Sequence, residues 1–199
     1  MHRTTMLVIC TLVLALCVGS AFAATGSTTS YPDTLKVNYF SYANTTGDPD
    51  GTVRILNTGL SGGNLCADIY VYDAAQEISE CGSCLITPNG LLTLSVNTNL
   101  TANPLTGSAH ILSTGSILIV SAAPNSSGTC PLPAIGVVVP TAGLRAWGTH
   151  IQLGSYETET DFQDETLSSA ELKTLEKGCY AIKLDGSGAG QISCTTETD

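Results

Sequence analysis

The sequence predicts an all-β protein: an antiparallel β-sandwich, immunoglobulin-like or related, with one short C-terminal helix and a closing hairpin. Three observations lead there. Short apolar, β-branched runs alternate with turn residues from Leu35 onward. Charged residues make up only 12% of the chain, so its polar surface must come from Thr, Ser, Asn and Gly, which suit strands and turns better than helices. Six cysteines follow an export leader, an even set of the kind that staples extracellular domains.

The strand-sized runs are Leu35 to Tyr42, Thr52 to Asn57, Leu65 to Asp73, Leu91 to Asn97, Ser116 to Ala122, Ile135 to Val139 and Gly143 to Leu153. Between them lie Asp48-Pro49-Asp50-Gly51, Ser61-Gly62-Gly63-Asn64, Pro88-Asn89-Gly90 and Pro124 to Gly128, all turn chemistry. In Asp68 to Asp73 the apolar pattern does not keep a period of two, which predicts a central strand covered on both faces. Ser168 and Glu171 have capping-box spacing, with Leu167 and Leu172 at the staple positions, so a helix is expected over Ser169 to Lys177. Gly178 would end it, and Tyr180 to Asp185 with Gln191 to Cys194 would form the hairpin around Gly186 to Gly190.

The N-terminus reads as a secretory signal: His2 and Arg3, then the apolar stretch Leu7 to Val18, then Ala21-Phe22-Ala23 before the expected cleavage. Residues 24–199 are then expected to be one disulfide-bonded, β-rich extracellular domain, secreted or at the cell surface and not membrane-spanning in its mature form. The leader takes Arg3 with it, leaving six basic residues against 17 acids, a net charge of −11. Such a surface lacks the basic footprint that nucleic acid requires.

Cys66, Cys81, Cys84, Cys130, Cys179 and Cys194 remain after cleavage. Cys179 and Cys194 flank the expected hairpin and are paired on that ground. One of Cys81 and Cys84 is expected to meet Cys66 and the other Cys130. Redox or zinc chemistry at Cys81-Gly82-Ser83-Cys84 would need a helix N-terminus or further ligands at short spacing, and neither is evident.

Other chemistry-bearing letters have plainer readings. Gly59-Leu60-Ser61-Gly62-Gly63 fits the nucleophile elbow of hydrolases, but that motif requires a helix after the serine, and a strand run follows here. His110 and His150 stand far apart with no ligand pattern around them. Asp48 and Asp50 with Gly51 resemble half of an EF-hand loop whose later ligand positions are missing, so a β-turn is expected. The acidic run Glu157, Glu159, Asp161, Asp164 and Glu165 contains no base; it is the candidate calcium site, with a solvated loop as the competing reading. No other cofactor is expected. Tyr70 and Tyr72 share a strand face, and Trp147 stands alone, so core packing is expected to use the aromatics more than a glycan platform does.

The stretches Val53 to Asn57, Leu65 to Thr98 and Glu159 to Cys194, with the phrase Leu65-Cys66-Ala67-Asp68-Ile69-Tyr70-Val71-Tyr72, resemble secreted proteins of unknown function from acidobacteria-type environmental bacteria. That resemblance implies export and brings no activity or site. The sequence therefore points to a non-enzymatic structural or adhesive β-sandwich, with self-assembly or cell-surface partners. A glycan- or calcium-binding module is the alternative, and an extracellular hydrolase comes third. A strand over Thr34 to Tyr42 behind the nearly uncharged leader Ala24 to Pro32 is expected to pair within its own sheet; donation to a neighbouring copy is the competing arrangement.

Overall fold

The computed structural model describes residues 29–103, 112–153, 156–184 and 190–194. The expected signal peptide, His110 and most of the Gly186 to Gly190 turn lie outside them. Among the described residues nine strands form two antiparallel sheets: β1 (Ser30–Phe40), β2 (Thr52–Asn57), β3 (Leu65–Asp73), β4 (Ile78–Ile86), β5 (Leu91–Ser95), β6 (Gly115–Ala122), β7 (Leu144–Gln152), β8 (Tyr156–Asp161) and β9 (Gln163–Ser168). Sheet A has the order β4-β3-β6-β1-β9, and sheet B the order β5-β2-β7-β8. One helix, α1 (Ser169–Leu184), follows.

Strand alternation divides the apolar residues between two cores. Ile55, Leu65, Ile69, Leu94, Ile117, Ile119 and Leu144 fill the space between the sheets. The opposite face of sheet A, with Leu35, Tyr70, Val120 and Leu167, is covered by Leu172, Leu175 and Cys179 of α1. Sheet A is thus the middle layer of three, and β3 is buried along seven consecutive residues, the central strand its unbroken pattern predicts. Burying each such aliphatic side chain stabilises the fold by roughly 1.5–3 kcal/mol.

β1 pairs with β6 and β9 of its own sheet, the arrangement expected for this strand. Two of the expected elements differ from the structure for physical reasons. Ile135 to Val139 is not a strand, because the amides of Gly136, Val137 and Val138 all converge on the Glu176 carboxylate and are unavailable to a ladder. The helix does not stop at Gly178 but continues to Leu184, which removes the first arm of the expected closing hairpin. Gly178 reports close approach instead: a Cβ there would sit 3.1 Å from Ile78 Cδ1 on β4. The start of α1 is as expected, with Glu171 N donating to Ser168 Oγ at 3.1 Å.

Among the described residues three bridges hold the sandwich, all with Cα–Cα separations of 5.5–5.6 Å: Cys66–Cys130, Cys81–Cys179 and Cys84–Cys194. The expected Cys179–Cys194 pair and the expected pairing of Cys81 and Cys84 with Cys66 and Cys130 are both corrected. Cys81 and Cys84 are three apart on one extended strand, so they point to opposite faces. Cys81 faces Cys179 on α1, and Cys84 meets the C-terminal segment. Cys66 faces outward from β3 and holds the loop that carries Cys130.

No helix among the described residues is long and apolar enough to cross a membrane.

Candidate functional site

A group of buried polar side chains lies on the outer face of sheet A, beneath α1 and the loop 123–140. Asp68 is 3% exposed on β3 and accepts a hydrogen bond from Ser83 Oγ on β4, the residue directly opposite it. Burial pushes the Asp68 carboxyl up to about 7, against the lowering effect of Ser83, and the Glu176 charge pushes it the same way as burial. Tyr70, two residues along the same face, is fully buried, and its hydroxyl has no hydrogen-bond partner among the described residues. Its pKa is raised by burial first, then by the Asp68 and Glu176 charges. A narrow cavity of about 30 Å³, room for one water, lies against Asp68, Ser83, Cys66 and Val138.

Glu176 reaches out of α1 into this layer. Its carboxylate accepts from Gly136 N at 3.0 Å, Val137 N at 3.2 Å and Val138 N at 3.1 Å. Successive amides around one anion form a nest, and here the anion belongs to the protein itself. The arrangement locks the loop to the helix and fills the anion position. We expect Glu176→Gln to cost about 2–3 kcal/mol, because charge-assisted bonds from three part-buried amides to a buried carboxylate are replaced by weaker ones. Hydrogen exchange at the Gly136, Val137 and Val138 amides should accelerate selectively, while amides of β2 and β7 keep their protection.

A second buried carboxyl, Glu80 on β4, faces the space between the sheets, accepts from Asn103 N and is raised to about 7 by burial. His150 is buried on β7 with its Nε2 2.9 Å from Asn38 Oδ1. That oxygen also accepts from Tyr39 N, which fixes the amide orientation and makes Nε2 the protonated nitrogen. Burial lowers the His150 pKa, and the Tyr39 ring lies over the imidazole with centroids 3.9 Å apart.

Ser61 and His150, the one histidine of the expected domain among the described residues, do not meet. Ser61 lies in an exposed turn entering β3, and its Oγ donates to Gly63 O at 3.2 Å. Gly143 is its neighbour, whereas His150 is seven positions further along β7, about 23 Å away at strand rise.

The acidic run is not a loop. Glu157, Glu159 and Asp161 lie on β8, the edge of sheet B, opposite Ile151, Thr149 and Trp147. After the buried Phe162 the chain enters β9, the edge of sheet A, where Asp164 faces Lys36 and Glu165 faces Leu35. Arg54 pairs with Glu159 at 2.8 Å, and Asp164 is shared by Lys36 Nζ at 2.6 Å and Arg145. Lys36 is buried and also donates to Asp33 O, so Asp164 is committed to neutralising it. The five acids therefore divide between two sheets, and no group of three metal-ligating side chains converges among the described residues. Their evident work is to charge two adjacent sheet edges against edge-to-edge pairing. Calcium and magnesium at equal ionic strength should shift the melting temperature equally, within about 1 °C, as charge screening alone requires.

Tyr70 and Tyr72 share a face as the sequence suggests, but α1 packs over it, so it offers no platform to a glycan. Trp147 faces the open side of sheet B, paired across strands with Arg54 and Asp161. What sequence reasoning missed is the Asp68, Tyr70 and Glu176 layer; an acid inside the otherwise apolar run of β3 was its one visible signal.

Fold and site define a disulfide-braced, three-layered antiparallel β-sandwich. Comparison with protein families, with curated proteins and with solved structures finds no match.

Proposed function

We propose that this chain is an exported, non-enzymatic structural or adhesive β-sandwich, secreted or held at the cell surface, that works by assembling with copies of itself or with surface partners. The observation that carries this reading is where the bridges converge. All three start on the adjacent strands β3 and β4 and tie down a loop, a helix and the C-terminal segment in turn. Buried polar groups are likewise used for bracing: Glu176 holds a loop and Asp164 neutralises Lys36. An extracellular scaffold that must keep its shape has need of such cross-ties. A second reading, glycan binding, draws on Trp147 among Arg54 and Asp161 on the open face of sheet B.

Sedimentation velocity across a hundredfold concentration range tests the first reading. We expect reversible association that Ser61→Ala leaves unchanged. A chain that stays monomeric, shows hydrolase activity and loses it in Ser61→Ala would replace this reading with the enzyme.

A further inference from the structure

We propose that Cys84–Cys194 is a thiol–disulfide exchange site, and that the segment it holds, Gly190–Cys194, is an edge plug that the same segment of a second copy can replace. β4 is the edge strand of sheet A, so one side of its backbone has no strand beside it. The C-terminal segment takes that place: Ile192 N donates to Cys81 O at 2.8 Å, and Gln191 makes a parallel bridge with Cys81. Ile192 is 7% exposed and belongs to the core between the sheets. Gly82 is shaped to it, since a Cβ there would lie 2.7 Å from Ile192 Cβ. A short strand added to an edge through main-chain bonds and one buried side chain is the chemistry of strand addition.

The bridges differ in access. Cys81 and Cys179 are both fully buried, and Cys66 is 2% exposed against a half-buried Cys130. Cys194 is exposed, and it alone among the six cysteines presents its residue openly to solvent. Exchange follows access to sulfur. A thiolate of an external dithiol attacks Cys194 Sγ, the bond to Cys84 breaks, and Cys84 leaves as a thiolate. The second thiol of the reagent then displaces Cys194, leaving a cyclic disulfide and two protein thiols that keep the reagent's two protons. With the plug out, the Cys84 thiolate of one copy attacks Cys194 in an intact bridge of another. One interchain bridge forms and one Cys84 thiolate is released, so electrons balance and the thiol acts catalytically.

The exchange between copies rests on the assembling reading above, whereas the selective opening of the bridge does not. To test both, light and heavy-isotope chains are mixed with substoichiometric dithiothreitol, quenched by alkylation and digested without reduction. We expect Cys84 and Cys194 to be labelled roughly tenfold or more ahead of the other four, as access requires. Bridged Cys84–Cys194 peptides should combine light and heavy halves. Ile192→Ala, which removes the anchor that packs on Gly82 and leaves the sequence of β4 unchanged, should hasten both. Labelling that begins at another pair, or at all six together, overturns the proposal. So does selective labelling with only light–light and heavy–heavy bridges, an outcome distinct from a failure of the chain to sediment as an oligomer.

Discussion

Raising the pH from 5 to 8 is expected to destabilise the fold by about 5 kcal/mol, a large share of the total stability of a domain this size. Asp68 and Glu80 are each raised to about 7, by burial first. In the unfolded chain both ionise near 4, so between about pH 4 and 7 the unfolded state sheds protons that the folded state keeps. Stability then falls as pH rises and levels off above the folded value. Two pH units of that window are worth about 3 kcal/mol per group at 1.36 kcal/mol per unit. His150, lowered by burial, acts the other way and only below its ordinary value. Urea unfolding at pH 5 and 8 measures the difference, and Asp68→Asn, which still accepts from Ser83, should halve it. A stability that is flat or rises over this range would show that these carboxyls are ionised where they lie.

The second large effect is a coupling between bridges. Taken alone, Cys81–Cys179 closes a loop with a sequence separation of 98, worth about 4.7 kcal/mol in the chain-entropy account. With Cys84–Cys194 intact the route is far shorter, back along β4 and from Cys194 to Cys179, a ring of about 20 residues worth about 3 kcal/mol. Replacing Cys81 and Cys179 by Ser should therefore cost about 3 kcal/mol, and replacing Cys84 and Cys194 a similar amount. Removing both pairs should cost about 8 kcal/mol, more than the two losses added. Denaturant midpoints of the four proteins check it. Simple additivity would place the stabilisation in native-state contacts rather than in the unfolded chain.

The sandwich was legible wherever one side of a strand is apolar. β2 and β3 match their expected limits because Val53, Ile55 and the run from Leu65 are buried by the partner sheet. β4, β8 and β9 were not legible. In β4 the positions that face the two cores are occupied by Cys81 and Cys84 around a glycine, which reads as a motif rather than a strand. β8 is an edge strand exposed throughout, so no apolar alternation marks it, and Tyr156 and its two Thr residues alone carry the β preference. Gly178 misled in the other direction, since a glycine demanded by helix–sheet contact has the same letter as one that ends a helix. Of the site, the capping box and the two-sided burial of β3 were readable. The nest around Glu176 was not, because it joins residues 40 positions apart.

The central proposal is that this braced sandwich is an exported structural or adhesive subunit, and electron microscopy of the native material tests it most directly. The account predicts filaments or sheets whose repeat accommodates one sandwich. Dispersed single particles with no ordered contacts, at the native concentration, would contradict it.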